Sequence, residues 1–203
     1  MVEQADLAER DLRFKRIREA MACQAMDALV LAGHASHFNR GYIRYFSDWH
    51  IWAGDALILL PLEGEPMLVQ TAYAGADRPT EPWITDIRKS VYPQEMIVAA
   101  MKEKGLTKSK VGIAGFKRVM TVGAYLTLKT ALPRVEFVDA DIMTDRVRMV
   151  KSRLEIQQYR ELWDLSRAAV LCFVEELEPG KTQREVAAAV AAVLRAGGCF
   201  DDM

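Results

Sequence analysis

Apolar and polar positions along the first two-thirds of the chain follow two different periods. Between Asp6 and Met26 the apolar residues recur at about every third or fourth position with charges between them, which predicts an amphipathic helix. Short apolar runs follow, bounded by glycine, proline or charged residues, as is typical of buried strands. These runs are 27–31, 56–61, 66–70, 84–87, 111–114 and 135–138. Helices are predicted at 93–104 and 121–131, and strands separated by helices predict a layered α/β domain over residues 1–145.

The pattern changes after the last predicted strand, where a short connecting helix leads into a sustained helical period. Ser152 and Glu155 have the spacing of a capping box, in which each side chain bonds the free backbone amide of the other residue. A Pro-Gly pair ends that helix, and Thr182 with Glu185 repeats the same signature at the start of the next one. Residues 146–203 are therefore interpreted as a linker and two helices, whose apolar faces need a further surface to cover them.

Composition and charge exclude several classes of protein. The chain has 27 Lys and Arg against 28 Asp and Glu, and this balance gives no basis for a nucleic-acid or membrane-surface partner. The longest apolar run is too short to span a bilayer, and the acidic start lacks the features of a signal peptide. Three cysteines without a CxxC spacing do not indicate a disulfide framework. We therefore expect a cytoplasmic protein.

Few residues carry recognisable chemistry. The sequence has no GxSxG, P-loop or GxGxxG motif, so serine-hydrolase and phosphate-binding chemistry have no support. His34, His37 and His50 lie in one loop-rich stretch with Asp48 and Asp55 nearby, and a metal site there is conceivable. Exposed or backbone-bonded imidazoles are the more common outcome in such loops. No catalytic residue and no metal ligand is assigned.

Several segments, in a fixed order, resemble the creatinase, prolidase and aminopeptidase P family. The run 26–31 is similar to the family's G-x-D-A-L-V strand, 39–47 to its I-R-Y-L-T/S-G segment, and 56–66 to its hairpin. The most specific matches are the linker residues Arg148, Lys151, Ser152, Glu155 and Ile156, and the sequence Pro179-Gly180-x-Thr182. Two family glycines are missing, because Gln24-Ala25 fills the turn before the first of these strands and Asp48 stands in the second glycine position.

This resemblance implies a fold and an activity. The fold is α/β, with a mixed sheet flanked by helices in a creatinase/prolidase N-terminal domain at 1–145. The linker and first two helices of a pita-bread catalytic domain follow at 146–203. Family members are homodimeric hydrolases that cleave the bond before proline in peptides, or small amides and amidines such as creatine.

The catalytic chemistry of the family lies outside the segments matched above. Its enzymes use two divalent metals (manganese, cobalt or zinc), or none in creatinase itself. The ligands, two aspartates, a histidine and two glutamates, lie downstream of these segments. We therefore expect a truncated chain that holds no cofactor and is catalytically incomplete. The pair Asp201-Asp202 follows a helix-ending Gly-Gly and is expected to be a solvated end, not a ligand pair.

The resemblance also implies candidate site residues. In family dimers, loops of the amino-terminal domain enclose the partner's substrate pocket, and the segment 39–52 is rich in the aromatic and charged residues suited to this role. The candidates for the substrate pocket or dimer loop are Arg44, Tyr45, Trp49, His50 and Trp52. An equally supported interpretation is that Tyr45, Phe46 and Trp52 pack beneath the loop. The chain would thus supply dimerisation and pocket walls to a hydrolase; the alternative is a stand-alone, non-catalytic dimerisation or interaction module.

Overall fold

The computed structural model describes the backbone of residues 3–71 and 82–199, and the side chains of residues 7–71 and 82–199. The elements are α1 (Glu3–Cys23), β1 (Ala28–His34), α2 (Gly41–Ser47), β2 (Asp55–Pro61), β3 (Met67–Thr71), β4 (Asp86–Ser90), α3 (Pro93–Glu103), β5 (Lys110–Ala114), α4 (Val122–Ala131), β6 (Glu136–Asp139), α5 (Asp141–Met149), α6 (Arg153–Glu176) and α7 (Gln183–Ala196). The chain forms two compact units, Met1–Val150 and Lys151–Met203. Among the helices described, none combines the length and the apolar composition that a bilayer-spanning segment needs.

The first unit is built on a mixed six-stranded sheet, which confirms the predicted fold class. The strand order is β4-β3-β2-β1-β5-β6, with β2 antiparallel to both of its neighbours and the remaining pairs parallel. The central strand β1 is buried along its length except at its last residue, because helices cover both faces of the sheet. Its alternate residues serve two separate cores: Leu29 and Leu31 pack on one face, and Val30 packs on the other.

Each face of the sheet has its own set of helices. On one face α1, α2 and α5 contribute Ile17, Phe46 and Met143 to the core. On the other face α3 and α4 contribute Ile97 and Leu128. This arrangement explains why the four inner strands β1, β2, β3 and β5 appear in the sequence as largely apolar runs without alternation, since both of their faces are buried.

Three details differ from the sequence analysis. The segment predicted as a loop contains the short helix α2, in which Ile43 and Phe46 are buried on one side. Its aromatic and β-branched residues have modest helix propensity, so tertiary packing decides its conformation. Strand β4 begins two residues later than predicted. The first compact unit also runs to Val150, whereas the sequence analysis began the linker at Arg146.

Two residues that are not glycine adopt left-handed backbone conformations, Ala25 and Asp48, each with φ of 51°. Ala25 follows α1 in a Schellman motif, in which the Met26 amide donates to Met21 O and the Ala25 amide to Ala22 O, both at 3.0 Å. This position normally favours glycine, because a Cβ in the left-handed region clashes with the backbone. Both residues stand at the turns where the resemblance to the family leads one to expect glycine.

The second unit consists of α6 and α7. Both predicted capping boxes are confirmed: Ser152 and Thr182 each accept a hydrogen bond from the amide three residues on, and Glu155 and Glu185 bond back to them. Gly197 allows the end of α7 to approach α6, since a Cβ there would lie 2.3 Å from Leu165 Cδ1. The large apolar residues that α6 leaves exposed are Ile156, Tyr159, Leu162, Trp163, Val170, Leu171, Phe173 and Val174.

The left-handed turn after α1 predicts opposite effects for one substitution at two nearby sites. Ala25→Gly should raise the free energy of unfolding by about 0.5–1 kcal/mol, because relief of the left-handed strain exceeds the entropy that glycine adds to the unfolded chain. Ala22→Gly, an exposed control inside α1, should lower it by about 1 kcal/mol. Urea unfolding measures both. Destabilisation of equal size at the two positions would contradict the assigned turn geometry.

Candidate functional site at the carboxyl edge of the central strands

Two loops lie side by side at the edge of the sheet where β1 ends. The first, 35–40, connects β1 to α2, and the second, 48–54, connects α2 to β2. The Ala35 amide donates to Gly54 O at 3.0 Å, and this bond joins the two loops beyond the last strand pair. The position of one loop is therefore fixed by the other.

Helix α2 reaches this edge because Gly33 has no side chain. A Cβ at Gly33 would lie 2.2 Å from Ile43 Cγ1, far inside van der Waals contact. Ile43 itself is fully buried against the sheet. The close approach of α2 to β1 thus requires glycine at this position, and it determines where both loops begin and end.

Two of the five candidate residues lie below the surface. Tyr45 and Trp49 are 7% and 4% exposed, and both belong to the core on this face. Trp49 donates its indole N–H to Gln70 Oε1 of β3 at 2.6 Å, a bond whose loss would leave a buried donor unpaired at a cost of about 1–3 kcal/mol. The Arg13 guanidinium of α1 lies 4.2 Å from the Tyr45 ring centroid. This burial agrees with the packing interpretation for Tyr45, and these two side chains hold the second loop from beneath.

The other three candidates reach the surface. Trp52 is 44% exposed and its ring contacts that of His50, with centroids 4.1 Å apart and planes tilted by 46°. His50 Nε2 lies 3.4 Å from Arg40 Nη1, which connects the second loop to the start of α2. We call Arg40, His50 and Trp52 the Trp52 surface. Arg44 lies apart from this group and pairs with Asp48 at 3.2 Å, at the end of α2. Whether these side chains contact a substrate or a second subunit stays a prediction.

A cleft of about 490 Å³ lies beside the first loop. Its lining comes from the segments that follow the three parallel strands β1, β5 and β6. The lining residues are His37, Phe38, Asn39, Gly41, Tyr42, Gly115, Lys117, Arg118, Val119, Asp141, Ile142, Asp145 and Arg148. We call it the switch-point cleft. The sequence analysis missed it, although charged residues three positions after two of the predicted strands, Lys117 after 111–114 and Asp141 after 135–138, were a signal that could have found it.

Asp141 shapes the floor of this cleft. Its carboxylate accepts backbone N–H bonds from Gly115 at 2.6 Å, Phe116 at 3.0 Å and Lys117 at 3.3 Å, and so holds the turn after β5 against the start of α5. Lys117 also forms an ion pair with Asp139, which lowers the pKa of Asp139 and raises that of Lys117. The turn is therefore held by charged hydrogen bonds to the end of β6 and the first residue of α5.

The opposite side of the cleft is formed by α2 and the later turns of α5. Tyr42 donates its hydroxyl hydrogen bond to Asp145 at 2.8 Å. Burial and this bond raise the pKa of Tyr42 well above its ordinary value, so the hydroxyl is a donor at neutral pH. The Arg148 guanidinium lies over the Tyr42 ring at 4.9 Å from its centroid. These contacts join α2 to α5.

The sequence makes a metal site in the histidine-rich stretch conceivable. In residues 7–71 and 82–199, no three His, Cys, Asp or Glu side chains lie close enough together to hold an ion. His34 instead accepts a hydrogen bond on Nδ1 from the Ser36 amide at 3.1 Å, as expected for a backbone-bonded imidazole. The pair Asp201-Asp202 lies outside the described residues.

Comparisons with known proteins show which family and which curated proteins this chain resembles. The family model of the creatinase/prolidase N-terminal domain matches residues 13–150, more than half of the chain. An uncharacterised hydrolase/peptidase of Sinorhizobium fredii is 26% identical over 194 residues, which is 90% of this chain and 49% of that protein. The ectoine hydrolase of Halomonas elongata is 22% identical over 180 residues, covering 83% of this chain and 44% of the relative.

Solved structures share the fold. The X-Pro aminopeptidase of Thermotoga maritima superposes with a TM-score of 0.73 at 18% identity, over 91% of this chain and 49% of that one. The chain thus spans about half the length of the curated relatives it matches. Its mixed sheet and the extent of the family match lead to one conclusion: the chain belongs to the creatinase/prolidase N-terminal domain family.

Proposed function

We propose that this chain is the amino-terminal portion of a hydrolase for small peptides or amides, and that it contributes a wall of the substrate pocket and a dimer contact. Similar proteins named as prolidase, X-Pro aminopeptidase and ectoine hydrolase support this substrate class. In each the matched segment covers only about half the protein. The catalytic groups in this proposal belong to a domain that follows the matched segment.

The observation that carries the proposal is the construction of the Trp52 surface. Trp52 is exposed, and its ring contacts His50 in a loop that the buried, hydrogen-bonded Trp49 anchors to the core. An exposed aromatic side chain held in place loses little conformational entropy on binding, and such residues commonly provide binding energy. The flat apolar face of an indole suits a proline ring or another small cyclic amide.

The described residues do not fit the two-metal centre that the family resemblance implies. Carboxylates that bridge two ions must come together in one cluster, and residues 7–71 and 82–199 contain no such cluster. No metal ligand is therefore assigned among these residues. Its own contribution under the proposal is to orient the substrate and to limit access of water.

A hybrid enzyme tests the role of Trp52. In it this chain replaces the matched half of the Thermotoga maritima X-Pro aminopeptidase, and hydrolysis of an Xaa-Pro peptide is measured. Trp52→Ala should raise KM about tenfold and change kcat less than twofold, because a pocket wall binds substrate without taking part in the reaction. Leu126→Ala, which removes an exposed apolar side chain from α4 on the other face of the sheet, is the matched control and should leave both constants unchanged.

Two results would contradict the proposal that Trp52 forms part of the substrate-pocket wall. Equal KM values for the parent hybrid and the Trp52→Ala hybrid would remove Trp52 from the pocket. A loss of kcat at unchanged KM would indicate a role in the reaction itself.

The dimer contact is supported by α6. Its exposed apolar residues include Leu162, Trp163 and Phe173, at 56%, 73% and 45% exposure. A contiguous exposed apolar patch of several hundred square ångströms typically marks an interaction surface. The same observation favours the second candidate function, a non-catalytic interaction module.

Light scattering across a dilution series tests association. We expect a dimer that dissociates on dilution, and we expect Trp163→Glu to shift dissociation to a concentration at least tenfold higher, since a charge placed in an apolar contact loses its hydration. Lys151→Glu, which also changes the charge at an exposed residue of this unit, is the control. A chain that stays monomeric at millimolar concentration would remove both the dimer contact and the dimerisation form of the non-catalytic module.

A further inference from the structure

Helix α6 carries a regular line of side chains that α7 does not cover. The line recurs at alternating intervals of three and four residues. Its members are Ile156, Tyr159, Trp163, Ser166, Val170, Phe173 and Leu177, and we call it the α6 seam. Six of its seven side chains are aliphatic or aromatic, and all six are exposed. Alternation of three and four residues is the spacing of a helix that packs lengthwise against another helix.

Helix α7 occupies a different side of α6. Ala169 is the buried residue of α6, and a Cβ at Gly197 would lie 2.3 Å from Leu165 Cδ1, so α7 approaches along the side of Leu165 and Ala169. At 3.6 residues per turn, the α6 seam is centred about a quarter of a turn away from that side. The α6 seam therefore needs a partner other than α7, and its spacing indicates that this partner is a helix.

The α6 seam complements a second copy of itself that runs in the opposite direction. In one register every aromatic side chain of the seam faces a smaller one, and a two-fold axis between the copies repeats each pair. The pairs are Tyr159 with Val170, Trp163 with Ser166, and Phe173 with Ile156. Large and small residues that alternate across facing positions fill the space between helices without voids.

Other pairings of the same residues fit less well. The next antiparallel register places Trp163 opposite Phe173, which overfills one layer, and Ser166 opposite Val170, which leaves a void in the next. In a parallel pair each residue faces its own copy, so Trp163 meets Trp163 and Ser166 meets Ser166, with the same defect. The sizes of the side chains along α6 therefore favour the antiparallel register described above.

Burial of Ser166 in such a pair costs little, and the area is sufficient. The Ser166 hydroxyl donates to Leu162 O at 2.7 Å, so it needs no acceptor from the second copy. The six apolar residues expose roughly 700 Å² on each chain, so pairing can bury about 1,200 Å² in total, the lower end for specific interfaces. Beside the seam, Asp164 lies one turn from both Arg160 and Arg167, so the flanking charges are of mixed sign.

We propose that the α6 seam pairs with the α6 seam of a second copy of this chain, antiparallel about a two-fold axis. This inference rests on the dimer contact proposed above and names its partner and its register. Because the axis is perpendicular to α6, the two α7 helices lie on the same side of the α6 pair, and the two hairpins form a four-helix bundle.

Disulfide formation between two variants tests the register. The three native cysteines are first replaced by alanine. Tyr159→Cys and Val170→Cys chains are then mixed in a glutathione redox buffer, and the linked species are measured by mass spectrometry. Heterodimers should exceed either linked homodimer at least tenfold. Positions 159 and 170 share a layer, whereas each lies roughly 16 Å along the helix from its own copy, beyond the reach of a disulfide.

Ala168→Cys is the matched control for Val170→Cys. Ala168 is exposed and lies at nearly the same height on α6, but on the side that faces away from the α6 seam. A mixture of Tyr159→Cys and Ala168→Cys should therefore give no excess of heterodimer. The reduced variants should keep the helical circular dichroism of the parent and, in light scattering, its dimer mass.

Three results would overturn the proposed pairing. They are linked Tyr159→Cys homodimers as abundant as the heterodimers, which would indicate parallel helices, equal linkage with Ala168→Cys and Val170→Cys, and no linkage in chains that light scattering shows to be dimeric. In each case the dimer contact stands and only the antiparallel α6 pairing fails. A monomeric parent chain removes the dimer contact as well, and neither outcome affects the test of Trp52 in the hybrid enzyme.

Discussion

Burial of β1 on both faces is the constraint on which the first unit depends. Leu29 and Leu31 serve the core under α1, α2 and α5, while Val30 serves the core under α3 and α4, so one strand joins the two halves of the unit. Near the end of this strand Gly33 has no side chain, and the side chain of Ile43 of α2 occupies the space that a Cβ would need. Packing on the central strand therefore determines the position of α2 and of the two loops that flank it at this edge of the sheet.

Two turns of the first unit hold residues other than glycine in the left-handed backbone region. Ala25 and Asp48 occupy turns where the family resemblance places glycine, and both keep the left-handed geometry with φ of 51°. Backbone hydrogen bonds hold this geometry: the Met26 amide closes the Schellman motif after α1, and the Asp48 amide donates to Arg44 O after α2. Such bonds can hold a left-handed turn even where the residue is not glycine.

The sequence predicted the strands, the long helices and both capping boxes, because each depends on local pattern or on residues three apart. It did not predict α2, whose conformation follows from the burial of Ile43 and Phe46 in the core, with Ile43 against Gly33 of β1. The switch-point cleft was missed for a related reason, since Phe38, Arg118 and Asp145 line one cleft only when parallel strands bring their carboxyl ends together. Candidate site residues were chosen for their chemistry, and burial then separated Tyr45 and Trp49 from the exposed Trp52.

The central claim is that residues 1–150 form a self-sufficient unit that α5 completes. Two fragments test it, one ending at residue 150 and one at residue 140, compared by thermal unfolding and by the dispersion of their amide NMR spectra. The longer fragment should unfold in one cooperative transition with a dispersed spectrum. The shorter one should be strongly destabilised, because it lacks buried Met143 and Thr144 and the Asp141 bonds to the turn after β5. A disordered longer fragment, or equal stability of the two, would contradict the account.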